Sequence, residues 1–307
     1  MEPKNDRPLM LLDTASLYFR AFYGVPDTRS RPDAPPTNAA SGLLDMIARL
    51  MRDQSPGSLV AAWDNDWRPA FRVAQLPSYK EHRVATGDAE EVPAALQEQI
   101  PLIEALLVAA GMAPVGIDGH EADDVIGTYA TISNGAVDIV TGDRDLFQLV
   151  DDSRGVRVLY TARGIGRLQA VDEAFVSEKY GVASSQYADM ATLRGDPSDG
   201  LPGVRGIGEK TAASLLRTYG NLEEVRAAAN DPGSGMAPRL RASIAEAADY
   251  LDRAPSVVSV VRDLDVPAPP AGAPRPDLEL LDAIGAEFGI GNSIKRYLSA
   301  LDQISEE

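Results

Sequence analysis

Residues 119–130 read GHEADDVIGTYA, a stretch that places three carboxylates directly ahead of an apolar helical run. Acidic side chains are favourable in the first turn of a helix, near unpaired backbone N–H groups and the positive end of the dipole. Helix capping alone would therefore explain Glu121, Asp123 and Asp124. Glu121 and Asp124 share one face of the helix, and Asp123 lies about 100° from Asp124. The remaining sequence decides between capping and function.

Three apolar runs elsewhere in the chain each end in an aspartate. PLMLLD ends at Asp13, SLVAAWD at Asp64 and VDIVTGD at Asp143, and each run is typical of a buried strand. In open parallel sheets, functional groups collect at the carboxyl ends of the strands. Aspartate is common in turns, so one such residue would indicate only a turn. Three of three runs favour a shared site.

Strand-like and helix-like segments alternate over the first two-thirds of the chain. Helical periodicity covers residues 38–53, with Asn38 as a plausible cap, and residues 93–110, where Pro101 predicts a kink or a break. RVLY, after the VDIVTGD run, is a further strand candidate. This alternation predicts an α/β fold, with a mostly parallel sheet flanked by helices on both faces.

Helical segments dominate after about residue 172. They cover residues 172–180, 184–194, 208–218 and 237–253, followed by a strand candidate SVVSVV at 256–261, a Pro-rich connector at 266–276 and a helical region at 277–301. We expect a catalytic α/β core over residues 1–180, a helical region over 181–265 and a C-terminal helical segment over 266–307.

The composition limits the kind of site. The chain has 307 residues, no cysteine and two histidines, so thiolate and histidine-rich zinc sites are disfavoured and a metal would be held by oxygen. The net charge of −17 argues against a generally basic surface of the kind that nucleic acid selects. The sequence contains neither a signal-peptide pattern nor an apolar run of about 18 residues, so we expect no membrane contact.

The carboxylates at the strand ends and in GHEADD belong to a larger candidate set. Asp145 follows Asp143 by two residues, and GDPSDG adds a last pair. The nine candidate metal ligands are Asp13, Asp64, Glu121, Asp123, Asp124, Asp143, Asp145, Asp196 and Asp199. Nine clustered carboxylates could not stay ionised without cations. One octahedral ion needs fewer ligands, so we expect two or more Mg²⁺ or Mn²⁺ ions, as in two-metal attack on a phosphodiester.

Seven segments together resemble the 5′-nuclease family, which includes the 5′→3′ exonuclease domain of bacterial DNA polymerase I, phage 5′-exonucleases and flap endonucleases. In chain order they are LLDTASLYFRAF, AWDNDWRPAFRVAQLPSYKEHR, QEQIPLIEALL, GHEADDVIGTYA, VTGDRDLFQLV, KYGV and GDPSDGLPGVRGIGEKTAASLL. The resemblance implies a PIN-like core with the nine carboxylates as its metal site, an arch over residues 79–93 and a helix-hairpin (H3TH) DNA-binding motif. It also implies hydrolysis of 5′ ends, flaps and RNA primers.

Residues 68–83, RPAFRVAQLPSYKEHR, interleave basic and aromatic side chains. This pattern suits a frayed single strand, because cations hold phosphates and rings stack on bases, although a solvated amphipathic helix would also explain it. The resemblance makes Arg72 and Lys80 catalytic residues that position and neutralise the scissile phosphate. The other candidate nucleic-acid contacts in this part of the chain are Tyr18, Arg20, Arg68, Tyr79 and Arg83.

The glycine-rich loop GVRGIGEKTA, residues 203–212, is the second candidate nucleic-acid contact. Its glycines permit close approach of backbone to phosphate, and the helix that follows presents its N-terminal amides to an anion. The candidate residues are Gly203, Gly206, Gly208, Lys210 and Thr211. An ordinary glycine-rich loop is the alternative. The resemblance implies a grip on the duplex backbone, with K⁺ on main-chain carbonyls in some relatives.

These features predict a cytoplasmic, nucleoid-associated and monomeric 5′-nuclease of DNA replication and repair. Its partners would be DNA with a 5′ flap, 5′ end or nick, and RNA-primed DNA, recognised by structure because phosphate contacts carry no base information. A PIN-type ribonuclease would share the acidic core without needing the hairpin. A non-catalytic nucleic-acid binder would be expected to lack several carboxylates, and a phosphatase-like enzyme would act on small phosphate esters.

Overall fold

The computed structural model describes residues 7–27, 29, 34–85, 87 and 90–306, and within them five strands form one sheet in the order β2-β1-β3-β4-β5. The strands are β1 Leu9–Asp13, β2 Ser58–Ala62, β3 Val137–Thr141, β4 Val156–Tyr160 and β5 Gln169–Val171. All neighbours are parallel except β4 and β5, which are antiparallel. The mostly parallel α/β sheet is therefore confirmed. The three residues of β5 are too few for an alternation pattern to reveal.

The α-helices surround this sheet and form the second part of the chain. In the described residues they are α1 Thr14–Gly24, α2 Asn38–Gln54, α3 Ala70–Gln75, α4 Ala94–Gln97, α5 Ile100–Ala109, α6 Ala122–Ile132, α7 Glu173–Tyr180, α8 Tyr187–Arg194, α9 Glu209–Tyr219, α10 Leu222–Asn230, α11 Pro238–Glu246, α12 Ala248–Arg253, α13 Pro255–Val258, α14 Leu278–Phe288 and α15 Gly291–Glu306. Short 3₁₀ helices span Glu81–Arg83, Asp145–Leu149, Asp152–Arg154, Ile165–Arg167, Ser184–Gln186 and Pro197–Asp199. None of the helices in these ranges has the length and hydropathy that crossing a membrane requires.

The interior strand β1 is buried on both faces of the sheet, and its successive side chains point to opposite sides. Leu9 and Leu11 pack into a core shared with α6, α8, α9 and α10. Met10 and Leu12 pack into a second core formed with α2, α5, α14 and α15. The sheet is thus covered on both sides, and its carboxyl edge stays available for a site.

Two of the predicted helix boundaries need comment. Thr37 occupies the N-cap of α2, whereas Asn38, the expected cap, lies inside the helix. Its buried amide donates to the carbonyl oxygens of Phe22 and Val25 at 2.9 and 3.0 Å, so it ties α2 to the end of α1. The break predicted near Pro101 is confirmed, since α4 ends at Gln97 and α5 begins at Ile100.

The strand predicted for residues 256–261 is wrong. Residues Pro255–Val258 form the short helix α13, and the residues after it are extended without a strand partner in the described sheet. Side chains take the place of a neighbouring strand, because Gln148 donates to the Val258 carbonyl at 3.1 Å and accepts the Val260 N–H at 3.1 Å. A run of β-branched residues therefore lies against the core without joining the sheet.

Candidate metal centre and nucleic-acid interface

An acidic cavity of about 380 Å³ opens at the carboxyl edge of β1, β2 and β3. Asp13 is the last residue of β1, and Asp64 and Asp143 each follow their strand by two residues. Parallel strands thereby bring together carboxylates that are far apart in sequence. Seven of the nine candidate ligands line the cavity, namely Asp13, Asp64, Glu121, Asp123, Asp143, Asp145 and Asp196.

Asp13 both caps α1 and faces this cavity. Its carboxylate accepts the backbone N–H of Ser16 at 3.0 Å and the hydroxyl of Thr141 at 2.6 Å. Burial raises the pKa of Asp13 to about 7 despite these hydrogen bonds, and the charges of Asp64 and Asp143 act in the same direction. The side chain is held in place by neutral donors that leave its charge uncompensated.

Burial and neighbouring negative charge also raise the pKa values of other carboxylates of the cavity. Burial, followed by the charge of Asp143, raises the pKa of Asp123 and of Asp145 well above the usual range. Burial also raises the pKa of Asp64, against a 2.7 Å hydrogen bond from the Ala122 N–H. An all-oxygen set with this excess of negative charge fits hard divalent cations. Among the described residues no three acidic side chains already converge closely enough to hold an ion.

Two candidate ligands, Asp124 and Asp199, do not line the cavity. Both oxygens of Asp124 accept hydrogen bonds from Arg72, at 2.9 and 2.7 Å, and Oδ1 also accepts the Val261 N–H at 2.8 Å. Asp199 contacts a cavity-lining residue, because its Oδ1 accepts a hydrogen bond from Nη2 of Arg83 at 3.0 Å. In this arrangement neither carboxylate is placed to hold a metal ion in the cavity, and the roles of Asp124 and Asp199 as metal ligands stay predictions.

Lys80 contacts Glu121 at the cavity wall. Its ammonium donates to the Glu121 carboxylate, which also accepts the Tyr79 hydroxyl at 2.9 Å. Burial acts to lower the pKa of Lys80, but the charges of Glu121, Tyr79 and Asp199 and the hydrogen bond to Glu121 together outweigh it and raise that pKa well above the ordinary value. The lysine backbone is left-handed, with φ of 49°, and its N–H donates to the Asp199 carbonyl at 3.0 Å. A fixed positive charge thus lies among the carboxylates.

Arg72 lies behind Glu121 rather than in the cavity. Its side chain is 2% exposed, and its guanidinium contacts both Glu121 and Asp124. Nε donates to the Val257 carbonyl at 3.0 Å, so all three guanidinium nitrogens are bonded. The structure therefore does not bring Arg72 to the place predicted for a contact with the scissile phosphate.

The other predicted contacts near the arch differ in their exposure to the cavity. Tyr18 and Arg83 line it, whereas Arg20 is half-buried and its Nε has no hydrogen-bond partner among the described residues. Arg68 donates to the carbonyls of Tyr79 and Pro77 at 2.6 and 2.7 Å, which fixes the chain there. Tyr79 is 4% exposed, so its ring cannot stack on a base in this arrangement.

Part of the predicted arch, residues 79–93, can be described. Val84 and Glu90 form an isolated antiparallel bridge, and the Glu91 N–H donates to the Arg83 carbonyl at 2.7 Å. Thr86, Asp88 and Ala89 lie outside the described residues. The described part folds back on itself beside the cavity.

The glycine-rich loop connects α8 to α9. Gly203 has φ of +66°, and a Cβ there would lie 2.4 Å from the Arg194 carbonyl oxygen, so a side chain is excluded. Val204 and Ile207 are buried and anchor the loop. Between them, Gly206 has φ of +79° with no atom within 4 Å of an added Cβ. Backbone is therefore presented to the outside at this point.

The start of α9 completes the hairpin. Gly208 is the N-cap residue, with no side chain to occupy the first N–H groups. Lys210 is exposed and Thr211 is half-buried in the first turn. The hairpin follows Asp196, which lines the acidic cavity, along the chain. A helix start without a capping side chain, its positive dipole end and an exposed lysine are the features that suit an anion.

Among the cavity-lining residues that were not singled out from the sequence are Trp67, Glu90 and Arg144. Arg144 stands between Asp143 and Asp145, so its place in the TGDRD run could have indicated it. Glu90 lies in a polar segment without periodicity, and only the fold brings it to Lys80. Burial raises the pKa of Glu90, while the charges of Arg83 and Lys80 lower it.

A mostly parallel sheet with an acidic cavity at its carboxyl edge, a buried lysine and a glycine-rich helix-hairpin is the arrangement expected of a nuclease that acts with divalent cations. Residues 8–181 match the family described as "5'-3' exonuclease, N-terminal resolvase-like domain", and residues 182–277 match "5'-3' exonuclease, C-terminal SAM fold". The chain belongs to the 5′-3′ exonuclease family.

Individual relatives agree with this membership. A 5′-3′ exonuclease of Streptomyces coelicolor is 56% identical over 301 residues, covering 95% of this chain and 99% of the relative. One of Mycobacterium tuberculosis is 45% identical over 313 residues, covering 97% and 98%. The bacteriophage T5 flap endonuclease, in a pseudo-enzyme-product complex with DNA and metal ions, shares the fold at a TM-score of 0.62 and 21% identity, covering 98% of this chain and all of that one.

Proposed function

We propose that this exonuclease is a structure-specific 5′-nuclease of replication and repair, which cuts DNA at 5′ ends, nicks and 5′ flaps and removes RNA primers. The main support is that one cavity holds carboxylates from three strand ends together with Lys80 and Arg83. Carboxylates recruit cations and the basic side chains attract a phosphate. The T5 relative of the same fold acts on flaps and holds DNA and metal ions.

The cofactor we propose is Mg²⁺ or Mn²⁺, with two or more ions held by the seven cavity carboxylates. When bound, such ions supply an activated water and stabilise the leaving oxygen. They would also neutralise Glu121, which leaves the Lys80 ammonium available to hold the scissile phosphate. The geometry favours a positioning role for Arg72 and Asp124, because together they hold Glu121 from behind.

The nucleic-acid contacts we propose lie on either side of the metals. Tyr18 and Arg83 face the cavity and suit the strand that is cut. The hairpin suits the duplex, through the backbone of Gly206 and Gly208 and the ammonium of Lys210, and its carbonyls could hold K⁺. Arg20 would join the strand contacts if its unbonded Nε met a phosphate. A monomer carries all of these groups.

Cleavage of an end-labelled 5′-flap duplex tests this function. The assay compares magnesium, manganese and chelator, and the same protein is given the matching single strand, a blunt duplex and an RNA-primed duplex. Metal-dependent cutting near the junction supports a nuclease that reads structure. An intact flap under every metal condition, from folded protein, would contradict the proposal, and turnover of a small chromogenic phosphate ester would indicate a phosphatase-like enzyme.

A further inference from the structure

A second groove, of about 620 Å³, lies away from the metal cavity. The 3₁₀ helix Asp145–Leu149 connects the two sites, since Asp145 lines the metal cavity while Gln148 and Leu149 line the groove. Helix α8 connects them as well, because Ser184 precedes it at the groove and Asp196 follows it at the cavity. The two sites therefore lie at opposite ends of these two helical segments, and one phosphate cannot contact both.

The groove contains a buried hydroxyl without a partner. Ser184 is 2% exposed, it lines the groove, and its Oγ has no hydrogen-bond partner among the described residues. A buried unpaired hydroxyl is unfavourable, so the position is suited to a ligand that accepts or donates a hydrogen bond. Ser184 and Ser185 also begin the helical segment that continues into α8. Their N–H groups lie in a first turn, where no acceptor exists within the helix.

Two arginines on the groove wall lack acidic partners. Arg262 donates to the Gln148 carbonyl at 3.0 Å, and Arg154 donates to the Thr131 and Ser133 carbonyls at 2.7 and 3.1 Å. Neither forms an ion pair within 4.0 Å in the described part of the chain. Burial and the charge of Arg154 lower the pKa of Arg262, which indicates locally positive potential.

Two carboxylates also line the groove and limit its charge. Asp151 is engaged in its own turn, where Oδ1 accepts the Ser153 hydroxyl at 2.6 Å and the Arg154 N–H at 3.3 Å. Glu173 begins α7 and is exposed. The formal charges of these two carboxylates and the two arginines cancel, so an anion would be held by directed hydrogen-bond donors rather than by net charge, which suits one small anion better than a polyanionic strand.

We propose that this groove binds a single phosphate-class anion between the buried Ser184 hydroxyl and the guanidinium groups of Arg154 and Arg262. The anion would be inorganic phosphate or the phosphate of a mononucleotide. Phosphate oxygens accept hydrogen bonds from backbone amides, a hydroxyl and guanidinium together. This proposal goes beyond the nuclease activity and does not depend on it.

The test is calorimetric titration of the full-length protein with inorganic phosphate in chelator, where the uncompensated carboxylates of the metal cavity repel anions. We expect saturable binding of one phosphate, weakened about tenfold by Arg262→Gln and by Ser184→Ala, since each removes a direct donor. Glu173→Gln should tighten binding severalfold by removing a like charge. Arg239→Gln, at an exposed arginine of α11, is the matched control and should change nothing.

Further titrations identify which phosphate compound the groove binds. Tighter binding of deoxyadenosine monophosphate than of inorganic phosphate would assign the groove to a mononucleotide, and weaker binding would assign it to inorganic phosphate. Displacement of phosphate by a short DNA duplex would overturn the proposal in favour of a substrate contact. Absence of binding up to roughly 10 mM, or equal affinity in Arg262→Gln and Arg239→Gln, would also overturn it. Circular dichroism of each variant separates lost binding from lost folding.

Discussion

The guanidinium of Arg72 and the carboxylate of Asp124 form a two-point buried pair, with Nη1–Oδ2 and Nη2–Oδ1 distances of 2.9 and 2.7 Å. The side chains are 2% and 0% exposed. The pair also holds α13 and the segment after it, because Arg72 donates to the Val257 carbonyl and the Val261 N–H donates to Asp124. It therefore joins α3, α6 and a segment more than 130 residues further along the chain.

Asp124→Asn should destabilise the protein strongly. Removing one partner of a buried pair leaves an uncompensated charge and costs about 3–5 kcal/mol. Urea unfolding in chelator, which removes any contribution of metal, measures the loss. Arg296→Gln is the matched control, because its pair with Asp45 is 51% exposed on the arginine side and 37% on the aspartate side, and its loss should cost about 1 kcal/mol or less. Full stability with lost metal binding in Asp124→Asn would instead make Asp124 a ligand.

Asp143→Asn should have the opposite effect on stability. The Asp143 charge raises the pKa of Asp13, Asp123 and Asp145, so its removal relieves repulsion in the metal-free protein. We expect a gain of about 1 kcal/mol in chelator. Flap cleavage in magnesium should fall by roughly 10²-fold or more, because a metal contact is lost.

The control for this variant is Asp282→Asn, at an exposed aspartate of α14, which should leave both stability and cleavage unchanged. Full cleavage activity in Asp143→Asn would remove Asp143 from the proposed metal site. A loss of stability in chelator would show that its hydrogen bond to the Asp145 N–H, at 2.8 Å, matters more than repulsion.

The strand ends could be predicted from sequence because the pattern is local. An apolar run followed by Asp13, Asp64 or Asp143 indicates both the strand and its carboxyl edge. The positions of Arg72 and Asp124 could not be predicted in this way. EADD indicates a helix start, and only the packing of residues 257–261 decides that Asp124 faces inward while Asp123 faces the cavity.

The strand wrongly predicted for residues 256–261 has the same cause, because its conformation also depends on partners that are distant in sequence. Residues 256–261 have the composition of a strand, but whether such a run joins a sheet depends on a free neighbouring edge. Here Gln148 and Asp124 supply the hydrogen bonds instead, and both lie more than 100 residues away in sequence. Short-range patterns contain no information about such partners.

Lys80→Ala and Lys210→Ala should separate chemistry from binding. Lys80 lies at the cavity wall on Glu121, so its loss should slow single-turnover cleavage by roughly 10²-fold with little effect on duplex affinity. Lys210 is exposed at the start of α9, so its loss should weaken binding and reduce the salt dependence by about one unit of slope. Fluorescence anisotropy and single-turnover kinetics on the same flap substrate measure the two quantities. If Lys80→Ala weakened binding of the substrate without slowing single-turnover cleavage, Lys80 would be a general phosphate contact.

Magnesium should stabilise the folded protein through the cavity carboxylates. An ion that binds the folded state alone raises the free energy of unfolding, by about 2.7 kcal/mol at 100 times its dissociation constant. Thermal unfolding across a magnesium titration measures this gain. Asp145→Asn should reduce it, because Asp145 lines the cavity and loses a charged ligand. Asp152→Asn, on the surface away from the cavity, should retain it. Equal stabilisation of all three proteins would mean that magnesium binds elsewhere, and the acidic cavity would then need another explanation.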